Sequence, residues 1–338
     1  MNPILDWGIN LIAELQSGIP WLKVPAQFFS VLGTEEFYLF ILPFLYWCVD
    51  FRLGLRVGVI LTVSDSLNIF FKFVFHQPRP FWVSDRVQAF GAEGSYGLPS
   101  GHAQHAMTVW GTMAVGINGW MRWLMVALIF LIGCSRIALA VHFPTDVLAG
   151  WLIGALILWA FLKWEAVVLA WLNRFTLLQK IGLAFAASML LLTISIAGLA
   201  FVPPADPVQW EITAARALSL PPGQSAIHPR GTIGIFGVAG TLFGLAAGTI
   251  LIIQRGGFDA RGPWWKRILR FVLGMIGATI LWSGLRMVLP RDASLASQVL
   301  RYLRYSLTGF WVAYAAPWVF IKLGLQNAPR FPGQPVPR

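Results

Sequence analysis

An all-α, polytopic membrane helical bundle is the fold class this sequence predicts, and three observations predict it. Mean hydropathy is +0.68 across 338 residues, charged residues make up only 12%, and apolar runs of helical length recur from residue 36 to residue 324. A soluble domain of this size would need far more polar surface, so the apolar runs are expected to face lipid.

Taken in order, residues 1–35 carry mixed polarity with Pro20 and Pro25, and read as a partly helical lead-in on the outer face. The first residues lack a basic stretch, and Asp6 and Glu14 interrupt what would be a leader's apolar region, so no cleaved peptide is expected. Nine spans follow, at about 36–49, 54–75, 103–117, 123–141, 147–171, 181–202, 231–254, 267–289 and 306–324, several of them below the roughly 20 residues of a straight crossing. The first contains Pro43. Four regions result: 1–35, a core at 36–175 carrying three polar clusters, a further membrane region at 176–326, and a proline-rich tail at 327–338, expected to be disordered. Cys48 and Cys134 both lie in apolar runs and read as buried small side chains rather than a disulfide.

The formal charge of +11 is not spread evenly. With nine spans, one face collects fourteen basic residues against Asp50, Glu165 and Asp259, which accounts for the whole excess. The positive-inside tendency makes that face cytoplasmic, with the C-terminus on it and the three clusters facing outward across a plasma membrane of bacterial type. The excess therefore records topology, and nucleic acid is not an expected partner. Oligomeric state is not legible.

Two outer loops are long. In Pro203–Arg230, Asp206 and Pro207 suit the N-cap and first position of a helix on which Val208, Ile212, Ala215 and Leu218 share a face. That helix is either a membrane-lying connector or a lid. The stretch Pro290–Tyr305 carries Arg291, Arg301 and Arg304, suited to lipid headgroups.

The three clusters carry the chemistry. In the first, Asp65, Asn68 and Lys72 share a helical face, which should look into the protein or a wet cavity because ionised groups are costly against lipid. Arg79, held between Pro78 and Pro80, offers a planar fork for two phosphate oxygens. In the second, Pro99-Ser100-Gly101-His102 stands where an apolar helix begins, so free amides and the positive dipole end suit an anion. Ser100 can cap that helix, Gly101 admits an anion to the backbone, and His102 can donate a proton to a leaving oxygen. In the third, Arg136 lies inside a span and needs an anion or a carboxylate. His142 precedes Asp146 by four residues, so the carboxylate can fix the ring's tautomer and leave the far nitrogen free to attack phosphorus. His105, one turn on from His102, lines either substrate access or a helix contact, while His76 and His228 read as loop residues.

These residues resemble the tripartite pattern of the type 2 phosphatidic acid phosphatase superfamily. Lys72, Arg79, Pro80, Pro99, Ser100, Gly101, His102, Ser135, Arg136, His142 and Asp146 meet every position of Lys-x6-Arg-Pro, Pro-Ser-Gly-His and Ser-Arg-x5-His-x3-Asp. The resemblance covers residues 37–171. It implies a six-helix-type phosphatase core that works without metal or other cofactor through a phosphohistidine on His142, with His102 as acid and Asp146 orienting the nucleophile. By the same resemblance, Lys72, Arg79, Ser100, Gly101 and Arg136 bind phosphate. The context of the first and third clusters is also similar to the glucose-6-phosphatase catalytic subunit, which lacks the final aspartate kept here as Asp146.

The implied function is hydrolysis of a lipid phosphate or diphosphate at the outer face, by a phosphoric monoester hydrolase, or an acid anhydride hydrolase if the substrate is a diphosphate. The expected partners are then the bilayer and that lipid substrate. A sugar-phosphate phosphatase is the alternative, and a lipid-binding or transport protein with a vestigial phosphatase half is an alternative of another class. The region from about residue 179 onward matches no motif.

Overall fold

A computed structural model describes residues 3–221, 224–290, 292 and 294–326. The tail at 327–338 and Arg291, both read above, lie outside the described residues. Among these residues every regular element is helical.

The chain forms two compact units that alternate along the sequence. The first comprises residues 1–37, 63–163 and 193–232, the second residues 38–62, 164–192 and 233–338. All three polar clusters lie in the first unit.

In the first unit, the lead-in is helical as α1 (Pro3–Gly18) and α2 (Lys23–Val31). The second half of α4 (Phe51–Phe75) brings in Lys72, and the short α5 (Pro80–Val83) follows Arg79. Helices α6 (Gly101–Val115) and α7 (Trp120–Ala138) and the first part of α8 (Pro144–Leu172) complete the core. Apolar side chains of α6 and α7, among them Ala106, Trp110, Met125, Ile129 and Ile132, pack against Leu32, Phe37 and Trp151. Helix α8 approaches α6 closely because Gly150 and Gly154 leave room: a Cβ at Gly150 would stand 2.6 Å from the Ser100 carbonyl oxygen. This close approach brings the third cluster against the second.

A buried polar clasp joins α4 to α6. Gln104 donates to the Ser64 carbonyl (2.7 Å) and hydroxyl (3.0 Å) and accepts from Asn68 Nδ2 (2.9 Å). In an apolar setting such satisfied amides fix one register, since a slip would leave buried donors unpaired. Lys72 follows Asn68 by one turn and is carried to the site by that register.

In the second unit, α3 (Glu35–Phe44) continues through a π turn at Leu45–Val49, and α9 (Leu177–Ala197) contributes its first part. Helix α11 (Ile233–Gln254) lies along α14 (Leu295–Phe310). Gly240, Gly244 and Gly248 form the contact face, and a Cβ at Gly244 would fall 2.0 Å from the Ser306 oxygen. Small residues at four-residue spacing are what permits helix backbones to touch inside a membrane. A π turn at Trp311–Ala315 joins α14 to α15 (Ala316–Lys322), and its freed carbonyls are taken up by Trp47 Nε1 (2.8 Å to Val312) and the Tyr46 hydroxyl (3.0 Å to Ala313). Helices α12 (Trp264–Thr279) and α13 (Leu285–Val288) flank another π turn.

Several expectations change. Six helices are long and apolar enough to cross a membrane, or seven if the bent pair Pro20–Val31 and Glu35–Val49 counts as one, so nine spans are not shown. The site helix α6 has only 15 residues. Residues 295–305 are helical rather than loop, and Arg304 is buried beside the Tyr305 ring rather than turned to headgroups. Both cysteines are free, but only Cys48 is buried; Cys134 lies on the outward face of α7.

The long loop also differs. Its helix, α10, spans Val208–Ala217 with Pro207 as N-cap, and Asp206 makes no cap. Asp206 has a stronger attachment: Tyr96 donates to its Oδ1 at 2.7 Å and Arg230 Nε to its Oδ2 at 2.9 Å. Helix α10 packs on α5, with Trp210 5.9 Å from the Trp82 ring.

Candidate active site

Three chain segments meet where α4, α6 and α8 converge at one end, and each arrives by an identifiable local device. Arg79 cannot be helical before Pro80 and takes an extended conformation (φ −94°, ψ 161°), which turns its side chain inward. It is fully buried. Ser100 caps α6, its hydroxyl accepting from the Ala103 amide at 3.5 Å, and its own amide donates to the Asp146 carbonyl at 2.9 Å. The chain leaves α7 through Ala140 at φ 56°, an uncommon conformation for a residue with a Cβ, and this turn presents His142 to the site.

The stretch between α5 and α6 forms a cradle for the two first-cluster cations. Lys72 Nζ donates to the Ser95 hydroxyl and the Tyr96 carbonyl, both at 2.8 Å. Arg79 donates to the Ser95 carbonyl (2.6 Å), the Ser95 hydroxyl (3.1 Å), the Tyr96 carbonyl (3.3 Å) and the Val141 carbonyl (2.9 Å). Gly97 is required beside them, because a Cβ there would lie 2.9 Å from the Pro78 oxygen and 3.1 Å from Asp146 Oδ2.

His142 sits between a carboxylate and a guanidinium. Its Nδ1 lies 3.2 Å from Asp146 Oδ2, and its Nε2 lies 3.1 Å from Arg79 Nη1. A guanidinium can only donate, so Nε2 must carry the lone pair and Nδ1 the proton. Asp146 Oδ2 is itself held by the Phe143 amide at 2.9 Å. Burial, then the charges of Arg79, Lys72, Arg136 and His102, holds the imidazole pKa well below its ordinary 6.5. The ring is therefore neutral, with the Nε2 electron pair directed at Arg79.

Arg136 meets its anion in Glu93, a residue the spacing patterns did not single out. Its guanidinium donates to the Ser30 hydroxyl on α2 and to Glu93 Oε1, while Glu93 Oε2 lies 3.5 Å from Arg79 Nη2. Burial alone would raise the Glu93 pKa, but Arg79 and Arg136, followed by His102 and Lys72, hold it at about 2. The need for such a partner was legible from Arg136 inside a span; its identity was not, because Glu93 lies in an irregular stretch where periodicity carries no information.

His102 packs its ring against Gly33, and its buried Nε2 has no hydrogen-bond partner among the described residues. Gly101 lies beside Asn68 Oδ1 and the His105 ring: a Cβ there would be 3.3 Å from the first and 3.7 Å from the second. His105 Nε2, on α6, stands 3.4 Å from Asp65 Oδ1, so it meets the polar face of α4 that also carries Lys72. His228 reaches the site segment through its backbone, donating to the Gly94 carbonyl at 2.9 Å. The His76 ring meets the nearby Val74 carbonyl (3.1 Å) and borders the Tyr96 ring. All eight sequence-predicted site residues are thus gathered at this end of the first unit. Among the described residues, no group of three or more His, Cys, Asp or Glu side chains could hold a metal ion.

Residues 53–170 match the family model of the PAP2 superfamily, and residues 236–329 match a model described as the PAP2 superfamily phosphatase transmembrane extension. The second match covers residues 236–329 of the region, from about residue 179 onward, in which the sequence showed no motif. Glucose-6-phosphatase 3 of Bos taurus is 26% identical, over 97% of this chain and 99% of that protein. An undecaprenyl-diphosphatase of Sulfolobus acidocaldarius is 31% identical over 38% of this chain and 63% of its own length. Among solved structures, a PAP2-type phosphatidylglycerolphosphate phosphatase from Bacillus subtilis superposes with a TM-score of 0.43 at 23% identity, covering 50% of this chain and 89% of that one.

Proposed function

We propose that this chain, which belongs to the PAP2 superfamily of membrane phosphatases, hydrolyses phosphate monoesters through a phosphohistidine on His142. The observation that carries this reading is the position of the His142 ring, with Nδ1 on Asp146 and the lone pair of Nε2 turned toward Arg79.

In the first step Nε2 attacks phosphorus, the ester P–O bond breaks, and the proton on His102 passes to the leaving oxygen. Water then attacks the phosphohistidine, gives a proton to His102, and the N–P bond breaks to release inorganic phosphate. Lys72, Arg79 and Arg136, with the Ser100 hydroxyl and the amide of Gly101 at the start of α6, stabilise the charge on the transferring oxygens. Asp146 holds the imidazole in the reactive tautomer.

For the leaving group, a lipid-linked phosphate is our first reading. It is supported by Asp146, the feature that separates this chain from the glucose-6-phosphatase pattern and that here engages the nucleophile. A water-soluble sugar phosphate is the second reading, supported by the similarity to glucose-6-phosphatase 3 along nearly the whole of both chains. The charge distribution supports an outward-facing site with a cytoplasmic C-terminus.

Phosphate release by purified protein in chelator, over a panel of detergent-dispersed lipid phosphates, polyprenyl diphosphates and soluble sugar phosphates, tests the proposal. Release from a lipid monoester with kcat/KM well above that for hexose phosphates supports the first reading, and the reverse order supports the second. No release from any member, in protein that is folded, overturns the enzymatic reading.

A further inference from the structure

We propose that Glu93 is a resident anion: its carboxylate occupies the place between Arg79 and Arg136, and a phosphate group must displace it to bind. This inference rests on the phosphatase reading and goes beyond it by assigning a role to a residue outside the three clusters.

The geometry of the trio separates the fixed partners from the movable one. The two guanidinium side chains are only 1% and 5% exposed, whereas the Glu93 side chain keeps 27% of its surface accessible. Each arginine is also anchored elsewhere, Arg79 on the carbonyls of Ser95, Tyr96 and Val141 and Arg136 on Ser30. Glu93 lies between α5 and α6, outside any helix. Its carboxylate can therefore swing out while both arginines stay in place.

Charge explains why an anion is kept there at all. Lys72, Arg79 and Arg136 converge in a largely buried space, and like charges so placed repel strongly unless an anion separates them. One carboxylate does this by giving one oxygen to each guanidinium, and a phosphate can likewise offer an oxygen to each. A phosphate dianion supplies two negative charges for one, so it can win the exchange. Once phosphate has been released, the carboxylate returns and opposes rebinding of the product. Glu93 thus weakens the affinity for free phosphate and keeps the cationic cluster assembled between turnovers.

The test is competitive inhibition by inorganic phosphate, measured on the full chain in detergent for wild type, Glu93→Gln and Glu93→Asp. Removing the competing charge in Glu93→Gln lowers the inhibition constant for phosphate about tenfold or more, the scale of a like-charge contact removed from a buried site. In Glu93→Asp, one methylene shorter and unable to span both forks, the constant falls by less. An unchanged or higher inhibition constant in both variants overturns the proposal and makes Glu93 a structural clamp on the arginines.

A second measurement needs no variant. Carbodiimide labelling of Glu93 in the wild type, read by mass spectrometry, increases when tungstate fills the site as a tetrahedral anion; labelling that stays constant or drops overturns the exchange. A wild type that releases phosphate from no substrate would defeat the phosphatase reading alone, since the labelling experiment requires no turnover.

Discussion

The Tyr96 hydroxyl donates a 2.7 Å hydrogen bond to Asp206 Oδ1, joining the long loop at 203–230 to the residue whose carbonyl holds Lys72 and Arg79. The same carboxylate accepts from Arg230 at 2.9 Å, and Arg230 also donates to the carbonyls of Pro203 and Pro204, so the loop is cross-braced at its base. The sequence left a membrane-lying connector or a lid open for this loop; the contacts tie it to the stretch that holds Lys72 and Arg79.

Asp206 is accordingly expected to act as a positioning residue. Asp206→Ala removes one charge-assisted bond to Tyr96 and one ion pair to Arg230, and should cost about 1–3 kcal/mol of stability. The loss should also raise KM more than it lowers kcat, because the cations shift while His142 keeps Asp146. Melting temperature and steady-state kinetics check this, with Asp206→Glu restoring part of the KM; a variant with unchanged KM would reduce the loop to a scaffold.

The two histidines should separate by substrate. His142→Ala should abolish turnover of every phosphate ester. His102→Ala should lose roughly 100-fold or more on an alkyl phosphate, whose leaving oxygen needs a proton, and far less in the first step on p-nitrophenyl phosphate. With that second substrate, phosphohistidine should accumulate on His142, because the base that activates water is also gone. Mass spectrometry after rapid quenching reads the intermediate, and equal losses on both substrates would contradict the assignment of His102 as acid.

How much of this was legible in the sequence follows from where each residue sits. Lys72, Asn68 and Asp65 could be placed on one face because helical periodicity is reliable over a long apolar run, and His142 with Asp146 because four residues make one turn. Glu93, Ser95 and Tyr96 could not, because their stretch has no period and their partners are more than ten residues away in sequence. Asp206 failed as an N-cap for a different reason. Its position before Pro207 fits the local rule, but a tyrosine phenol and an arginine elsewhere in the fold compete for the same oxygens, and tertiary bonds to a charged group outweigh a cap. The span count differs for a physical reason too: α6 has only 15 residues and is largely buried among neighbours, so its apolar character reflects packing inside the protein as well as lipid.

The neutral state of His142 gives a pH prediction free of substrate ionisation. Burial and the cations around it depress its pKa, so the imidazole stays unprotonated as pH falls through the ordinary value. An ordinary histidine, with a pKa of about 6.5, loses roughly 20-fold in the rate of diethylpyrocarbonate modification between pH 7 and pH 5 as its neutral fraction shrinks. His142 should lose much less over that range, read by mass spectrometry of the modified peptide. A drop as large as that of an ordinary histidine would mean that the cations do not act on the ring, and that the lone pair is not held toward them.

Topology supplies the last expectation, and it depends on charge rather than on the number of spans. Arg52 and Arg56 at the start of α4, Lys163 and Arg174 around the end of α8, Arg255 after α11 and Lys266 at the start of α12 are all among the residues that the charge count assigns to the basic face, and the active-site ends of α4 and α8 are expected on the opposite one. A single helix crossing fixes the relation within each of α4 and α8: if Arg56 is cytoplasmic, Lys72 and Arg79 are outside, and if Lys163 is cytoplasmic, His142 and Asp146 are outside. The two helices therefore give independent votes, and the three polar clusters can meet only if the votes agree. Alkaline phosphatase fused after Ser84 should be active and fused after Arg174 inactive, with a cytoplasmic reporter showing the reverse. Activity of both fusions on the same side would separate the ends of α8 from those of α4, and would undo the shared pocket together with the outward orientation.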